Sequence, residues 1–448
     1  MEKGVKSLKM KTRLRHKGGR AVVKLLILAD DFTGALDSGV KLAAHGSRTK
    51  VITAPHTDLG VATKEAEVLV VDTETRHLTA DQAGAIVAGL VRQALDLHIP
   101  YIYKKTDSAL RGNIGAELSA VMNTANQPVA FFPSLPQMQR CTVGGVHYIQ
   151  GTPVAQSVFG SDPFEPVTRS NVCELIGLQT DAPAISLEPL GEKSSLPGQQ
   201  AIWVFDGQTT GELLETGKRL KENGQLRMMA GCAGFAEVLP GLLGLAQEEA
   251  AKAPQLDERL LVLCGSVNPI TIRQLDEAEK AGFVRLRMRP EQKLNPDYWI
   301  GNEGRQLLER WKSALQTSSH IIVDSNDEAD SGCAAEYAAV RGLGIQEVRV
   351  RIASSLGRIL KSLNQCERMG TLLITGGDTL LQCMNAIGVY EMEPVCELES
   401  GVVLSRFELD GHRRYVISKS GGFGTQNLLI ELAAMLQNQT ANMEEKKR

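Results

Sequence analysis

The sequence predicts an α/β protein of two domains, each a mainly parallel or mixed sheet flanked by helices. Three observations lead there. At 448 residues the chain exceeds one ordinary domain, taking roughly 100 to 200 residues for each. Short apolar runs bounded by turn residues alternate with segments of helical period, as layered strands and helices require. Residues 247–258 (QEEAAKAPQLDE) are polar, contain Pro254 and separate two such alternating sets, which marks a domain boundary. The expected organisation is a disordered basic extension over 1–23, domains over 24–247 and 259–437, and a polar tail over 438–448.

In the first domain, strands are expected at 24–29, 50–53, 67–71, 101–104, 129–132 and 201–205. Helices are expected at 36–45 and 81–97, the second with Ala83, Ile86, Val87, Leu90, Val91 and Leu95 on one face. The second domain reads as strand 260–264, helix 269–282 with Pro269 at a favourable first-turn position, and strand 284–288. Strand 321–324, helices 333–341 and 354–363, strand 371–375, a β-rich stretch 401–418 and a last helix 427–436 follow.

Composition narrows the function. Hydrophobic residues make up 43% and charged ones 23%, the balance of a folded globular chain, which excludes wholesale disorder or a fibrous repeat. Net charge is −3, from 49 basic and 52 acidic residues, so neutralising nucleic-acid phosphate is not the main task. The first 24 residues are the exception, with nine Lys or Arg against one Glu. They lack the apolar run of a signal peptide, and no later segment approaches the ~18 apolar residues of a membrane span. The eight cysteines include no C-x-x-C pair, which favours reduced thiols in a cytoplasmic protein over a zinc or disulfide framework. Glycine is in excess, 43 of 448 residues against a usual ~7%.

Candidate sites follow strands. Asp30 and Asp31, in ADDFTGA, stand where a parallel sheet opens its ligand crevice. Two carboxylates there suit a polyol or a metal, although helix capping by Asp31 or Thr33 explains them as well. Residues 104–113 (KKTDSALRGN) gather Lys104, Lys105, Thr106, Asp107, Ser108 and Arg111 after another strand, a set suited to an anionic, hydroxylated ligand. A capped surface helix is the plainer reading. Arg76, in DTETRH, offers a planar fork to a carboxylate. The second domain carries three glycine turns, Cys264-Gly265-Ser266, Thr375-Gly376-Gly377-Asp378-Thr379 and Ser420-Gly421-Gly422-Phe423-Gly424, each after an apolar run. Backbone N–H groups at such turns favour phosphate, and three in one domain point to a nucleotide. The absence of G-x-x-x-x-G-K-[ST] and of a well-formed G-x-G-x-x-G disfavours a P-loop or dinucleotide fold. His147, near Cys141 and Gly144-Gly145, reads as structural.

The set ADDFTGA, KTDSALRGN, CGS, TGGDT and SGGFG, in that order and spacing, resembles the four-carbon acid sugar kinase family over about residues 24–436. The resemblance implies an acid-sugar-binding domain, a nucleotide-binding domain and an active-site cleft between them. It implies phosphorylation of the terminal hydroxyl of a four-carbon sugar acid by ATP, and ATP chemistry brings Mg2+ with the nucleotide. The DTETRHL and CGSVNPIT stretches make D-threonate the expected substrate, with D-erythronate and 3-oxo-tetronate as close competitors. By the same resemblance Asp31, Arg76, Lys105, Thr106, Asp107 and Ser108 meet the sugar acid, with Asp31 or Asp107 as the catalytic base. Ser266, Gly376, Gly377, Asp378, Thr379, Gly421 and Gly422 meet ATP; no metal ligand is implied. The expected partners are the sugar acid and ATP, without nucleic acid or membrane, and a homo-oligomer is compatible. A dinucleotide enzyme and a non-catalytic sugar-acid sensor are the rival readings.

Overall fold

Strand ends determine which side chains of this protein meet. The computed structural model describes residues 23–447 apart from 54–57, 64, 163–164, 193, 248–253, 328–332 and 367–368. The basic extension expected over 1–23 lies outside the described residues up to residue 22. The first domain contributes β1 (Leu25–Ala29), β2 (Thr49–Ile52), β3 (Val68–Asp72), β4 (Tyr101–Lys105) and β5 (Val129–Phe132). A small antiparallel sheet of β6 (Arg140–Val143), β7 (Val146–Ile149) and β8 (Thr152–Pro153) follows, then β9 (Ala184–Leu187), β10 (Ile202–Phe205) and β11 (Met228–Gly231). The second domain contributes β12 (Leu260–Cys264), β13 (Val284–Arg287), β14 (His320–Asp324), β15 (Thr371–Thr375), β16 (Glu391–Glu399), β17 (Val402–Leu409) and β18 (His412–Lys419).

These strands form one sheet in the order β13-β14-β12-β15-β18-β17-β16-β2-β3-β1-β4-β11-β5-β10-β9. The first-domain strands pair in parallel, and β1, β3, β4 and β5 are almost entirely buried, as strands covered by helices on both faces must be. In the second domain β12 to β15 and β18 are parallel, while β16, β17 and β18 form an antiparallel meander. The two halves join edge to edge: β16 pairs antiparallel with β2 through Glu391↔Ile52 and Met392↔Val51. That pairing covers what would otherwise be two open sheet edges. Across the join, helix Phe32–Ala43 packs on helix Gly377–Ala386, and one apolar cluster runs from Phe32 and Leu36 to Leu380 and Met384.

Several elements depart from the sequence expectation for identifiable reasons. Helix Phe32–Ala43 starts earlier than 36 because Asp31 caps it, its side chain accepting from the Gly34 N–H. Helix Ile345–Leu363 starts well before 354; the Val-Arg-Val-Arg-Ile alternation over 348–352 imitates a strand, yet the helix turns Ile345, Val348 and Ile352 to one side. Strands β9 and β11 and the small β6-β7-β8 sheet are short and went unread, as did β16. The expected polar tail is helical, since the last helix runs over Leu428–Lys447.

Strand alternation separates the two lysines that end β4. Lys104 points into the interior, where its Nζ lies 3.0 Å from Glu117 Oε2 and donates to the Lys105 carbonyl at 2.8 Å. Thr75 donates to the other Glu117 oxygen. Both charged side chains are fully buried, so each depends on the other. Lys104→Met is expected to destabilise the protein by about 3–5 kcal/mol, because it strands the Glu117 carboxylate. Lys104→Met/Glu117→Leu is expected to recover much of that loss in denaturant melts. Equal stability of the single and double variants would contradict this account.

Candidate active site

Parallel pairing places three first-domain strand ends side by side. Ala29, the last residue of β1, is in register with Asp72 of β3 and with Lys105 of β4. The loops leaving those ends carry Asp30 and Asp31, Arg76, and Lys105 to Ser108. The second domain repeats the device: Cys264 of β12 is in register with Thr375 of β15, which is in register with Lys419 of β18. Its three strand ends lead into the three glycine turns. The two groups face each other across a cleft of ≈ 560 Å³.

Asp31, Arg76, Lys105, Asp107 and Ser108 line the cleft from one side. Ser266, Gly376, Gly377, Asp378, Thr379, Gly421 and Gly422 line it from the other. Thr106 does not. Its side chain is fully buried and its Oγ1 has no hydrogen-bond partner among the described residues. Alternation along the end of β4 turns Lys105 and Asp107 to the cleft and Thr106 away from it.

Arg76 is the hub of the first-domain side. Its Nε donates to Asp30 Oδ2 at 2.8 Å and its Nη1 to Asp31 Oδ2 at 2.9 Å, while Nη2 lies 3.9 Å from Asp107 Oδ1. Despite burial, these three carboxylates raise its pKa. The fork that the sequence offered to a ligand is thus engaged within the protein. Asp107 is likewise clamped: Arg111 grips both its oxygens at 2.9 and 3.0 Å, and the Ala109 and Arg111 N–H groups donate to Oδ2. Burial alone would raise the Asp107 pKa, but Arg111 and Arg76 hold it well below the usual carboxylate range.

Asp31 stands at the meeting point of the domains. Its Oδ1 accepts from the Gly34 N–H at 3.0 Å and its Oδ2 from Thr33 Oγ1 at 2.8 Å. A Cβ placed on Gly377 of the opposite domain would lie 3.3 Å from Thr33 Oγ1 and 3.8 Å from Asp31 Oδ2. Lys105 Nζ lies beside the same helix start, 2.8 Å from where Gly34 would carry a Cβ.

On the other side, helix Gly377–Ala386 begins at Gly376, whose φ of 105° favours glycine, and no side chain caps it. Its first N–H groups therefore remain available to an anion. The neighbouring turn is anchored from below. Lys419, nearly fully buried, donates through Nζ to Thr271 Oγ1 at 3.0 Å and to the Ser420 and Gly421 carbonyls at 3.1 and 3.3 Å. Burial, with no carboxylate at ion-pair distance among the described residues, pulls its pKa down to about 8. Thr271 Oγ1 donates in turn to the Gly421 carbonyl at 2.7 Å.

Sequence reasoning missed further lining residues. Asp37 sits on the first helix, its pKa raised by burial against the opposing pull of Lys105. Arg140 enters from β6. Arg349, its Nε 3.4 Å from Asp378 Oδ2, also contacts His77 of the opposite domain. Val267, Ile345, Val348, Ile352 and Phe423 give the second-domain side an apolar wall. Phe423 and Val267 adjoin glycine turns that the sequence marks, whereas Asp37, Arg140, Arg349, Ile345, Val348 and Ile352 stand in no motif, and only the fold brings them to the cleft. His147 is structural, as expected: fully buried, it bonds the Ser108 carbonyl through Nε2 at 3.0 Å and Thr142 Oγ1 through Nδ1 at 2.9 Å. Among the described residues no group of three or more His, Cys, Asp or Glu is placed to hold a metal ion, and no helix is long and apolar enough to cross a membrane.

A half-site of charged and hydroxylated side chains and a half-site of glycine turns define a two-domain α/β protein with a cleft between its domains, and the family comparison divides the chain in the same way. Residues 25–239 match the sugar-binding N-terminal domain and residues 261–429 the nucleotide-binding C-terminal domain. The chain belongs to the four-carbon acid sugar kinase family. It is 29% identical to the D-threonate kinase of Salmonella typhimurium over 91% of this chain and 97% of that one. It is 26% identical to the D-threonate kinase of Bordetella bronchiseptica (92% and 97% covered) and 24% identical to the D-erythronate kinase of Heliobacterium modesticaldum (93% and 98%). The fold also matches a crystal structure of a Haemophilus influenzae protein with a TM-score of 0.65 at 18% identity, covering 90% of this chain and 97% of that one.

Burial pushes the His147 pKa down to about 4, against about 6.5 in an unfolded chain. Between those values the unfolded state binds the proton and the native state does not, so stability falls as pH falls through that window. Acidification from pH 6.5 to 5 is expected to lose about 2 kcal/mol through this group. Denaturant melts of His147→Gln should show a correspondingly weaker pH dependence; an unchanged slope would contradict the assignment.

Proposed function

We propose that the protein transfers the γ-phosphoryl group of ATP to the 4-hydroxyl of a four-carbon sugar acid, D-threonate in the first place, with D-erythronate and 3-oxo-tetronate as alternatives. The observation that carries this reading is the facing of two unlike half-sites. Carboxylates, cations and a hydroxyl from Asp31 to Ser108 look across the cleft at an uncapped helix start and two glycine turns. Phosphoryl transfer consists mostly of positioning and charge stabilisation, and this arrangement supplies both. ATP phosphates would lie over Ser266, the turn from Gly376 to Thr379 and the turn at Gly421 and Gly422, with the nucleobase against the apolar wall.

Asp31 is the better base of the two aspartates. Asp107 is saturated by Arg111 and held strongly ionised, whereas Asp31 adjoins the Gly377 turn where the phosphoryl group would arrive. In this assignment Asp31 orients the 4-hydroxyl and accepts its proton, and Lys105 adds positive charge beside it. Mg2+ fits as an ion carried by the nucleotide: Asp31, beside Gly377, and Asp378, within the turn, are carboxylates that line the cleft, and Mg2+ typically keeps several waters and phosphate oxygens rather than an all-protein cage. Bound there, it would neutralise phosphate charge. All eight cysteines are unpaired, which supports a reducing, cytoplasmic setting.

Coupled ATP-consumption assays with the three acids should show turnover with D-threonate and rank the other two. Binding of a sugar acid with no ATP turnover would instead favour a sensor. Asp31→Asn is expected to lower kcat by roughly 10²- to 10⁴-fold, and Asp107→Asn chiefly to raise KM for the sugar acid. Near-normal turnover by Asp31→Asn would remove it from the catalytic role.

A further inference from the structure

Four cations surround the sugar-facing half of the cleft, and two of them are neutralised by the protein. Arg76 is paired with Asp30 and Asp31, and Arg111 with Asp107 and with Asp162 at 3.3 Å. Lys105 and Arg140 have no carboxylate at ion-pair distance among the described residues. Lys105 is accounted for beside Asp31 and the incoming phosphoryl group. Arg140 is not.

Arg140 opens β6, and its guanidinium is held from two directions. Nη1 donates to Ser108 Oγ at 2.5 Å, and the plane lies 5.2 Å from the centroid of the Phe159 ring, which Arg111 also approaches at 5.3 Å. That is its one side-chain hydrogen bond among the described residues, out of the five N–H donors of a guanidinium. The residue lines the cleft, so open donors border the space a ligand would occupy. Its electrostatics differ from those of its neighbours: carboxylates raise the pKa values of Arg76 and Arg111, whereas burial lowers that of Arg140. A half-buried guanidinium without its anion is costly unless a ligand completes it.

We propose that Arg140 receives the carboxylate of the substrate and so makes the site select sugar acids over neutral sugars of the same length. This rests on the sugar-acid kinase reading above and adds a residue from outside the five motifs. A rigid planar fork with unpaired donors binds a carboxylate bidentately. The placement also orients the ligand. Its carboxylate end lies at Arg140 and Ser108, and its 4-hydroxyl end lies at Asp31 and Lys105 beside the glycine turn of the second domain.

Steady-state kinetics of the full chain with D-threonate and with its neutral isostere D-threonamide test the assignment, the KM for ATP serving as a check on the fold. Arg140→Gln is expected to raise KM for D-threonate about 10²- to 10³-fold, as for a truncated buried charge pair. It should change kcat far less, leave the KM for ATP unaltered and abolish the preference for acid over amide. Arg140→Lys keeps the charge without the fork and should fall between. Wild-type KM and acid preference in either variant would overturn the proposal, as would a parallel loss of ATP binding in both, which would mark a merely structural role. Failure of the wild-type chain to phosphorylate any four-carbon acid would overturn the kinase reading instead.

Discussion

The Arg76 guanidinium is the interaction on which the first-domain side of the cleft depends. Parallel strands β1 and β4 end side by side, and the loops leaving them bring Asp30, Asp31 and Asp107 close together. Three carboxylates in that volume would repel one another and be poorly solvated. Arg76, delivered by the loop after β3 and only 9% exposed, bonds Asp30 and Asp31 and approaches the third. Removing one partner from such a buried network leaves charge uncompensated, typically at several kcal/mol. The same cation bonds Asp31, which caps the first helix, and approaches Asp107, which Arg111 holds in the β4 loop.

The two domains solve the same geometric problem with opposite chemistry. Each presents three neighbouring parallel strand ends to the cleft. In the first the chain continues into charged and hydroxylated loops, in the second into glycine turns and an uncapped helix. The joining of β16 to β2 and the packing of helix Phe32–Ala43 on helix Gly377–Ala386 turn these half-sites toward each other. Asp31 and Thr33 consequently lie against Gly377. The buried Lys419 below one turn and the Lys104–Glu117 pair below the opposite loop show that both halves are supported from the interior.

Much of this was legible in the residues alone. The apolar strand cores and the helix caps are local signals, and the site motifs follow strands because parallel sheets expose their ligands there. Short strands and the start of helix Ile345–Leu363 escaped the local signals, and at the site what the residues did not show was the direction of side chains. Thr106 belongs to the same motif as Lys105 and Asp107, yet strand alternation turns it inward. Arg76 lines the cleft, but its fork is engaged by Asp30 and Asp31. Asp37, Arg140 and Arg349 carry no local mark, because an ordinary helical or strand-end charge looks the same in sequence whether it faces water or a cleft.

The sequence by itself determined the α/β class, the near-mid-chain division, and the contrast between charged, hydroxylated strand-end motifs in the first half and glycine turns after strands in the second. These rest on periodicity and residue type, which act over a few residues. The tertiary structure alone decided that both halves share a fifteen-stranded sheet, which carboxylates are already neutralised, and which cations remain open to a ligand. Those outcomes depend on pairing and ion contacts between residues tens to hundreds of positions apart, and no local pattern encodes such distances.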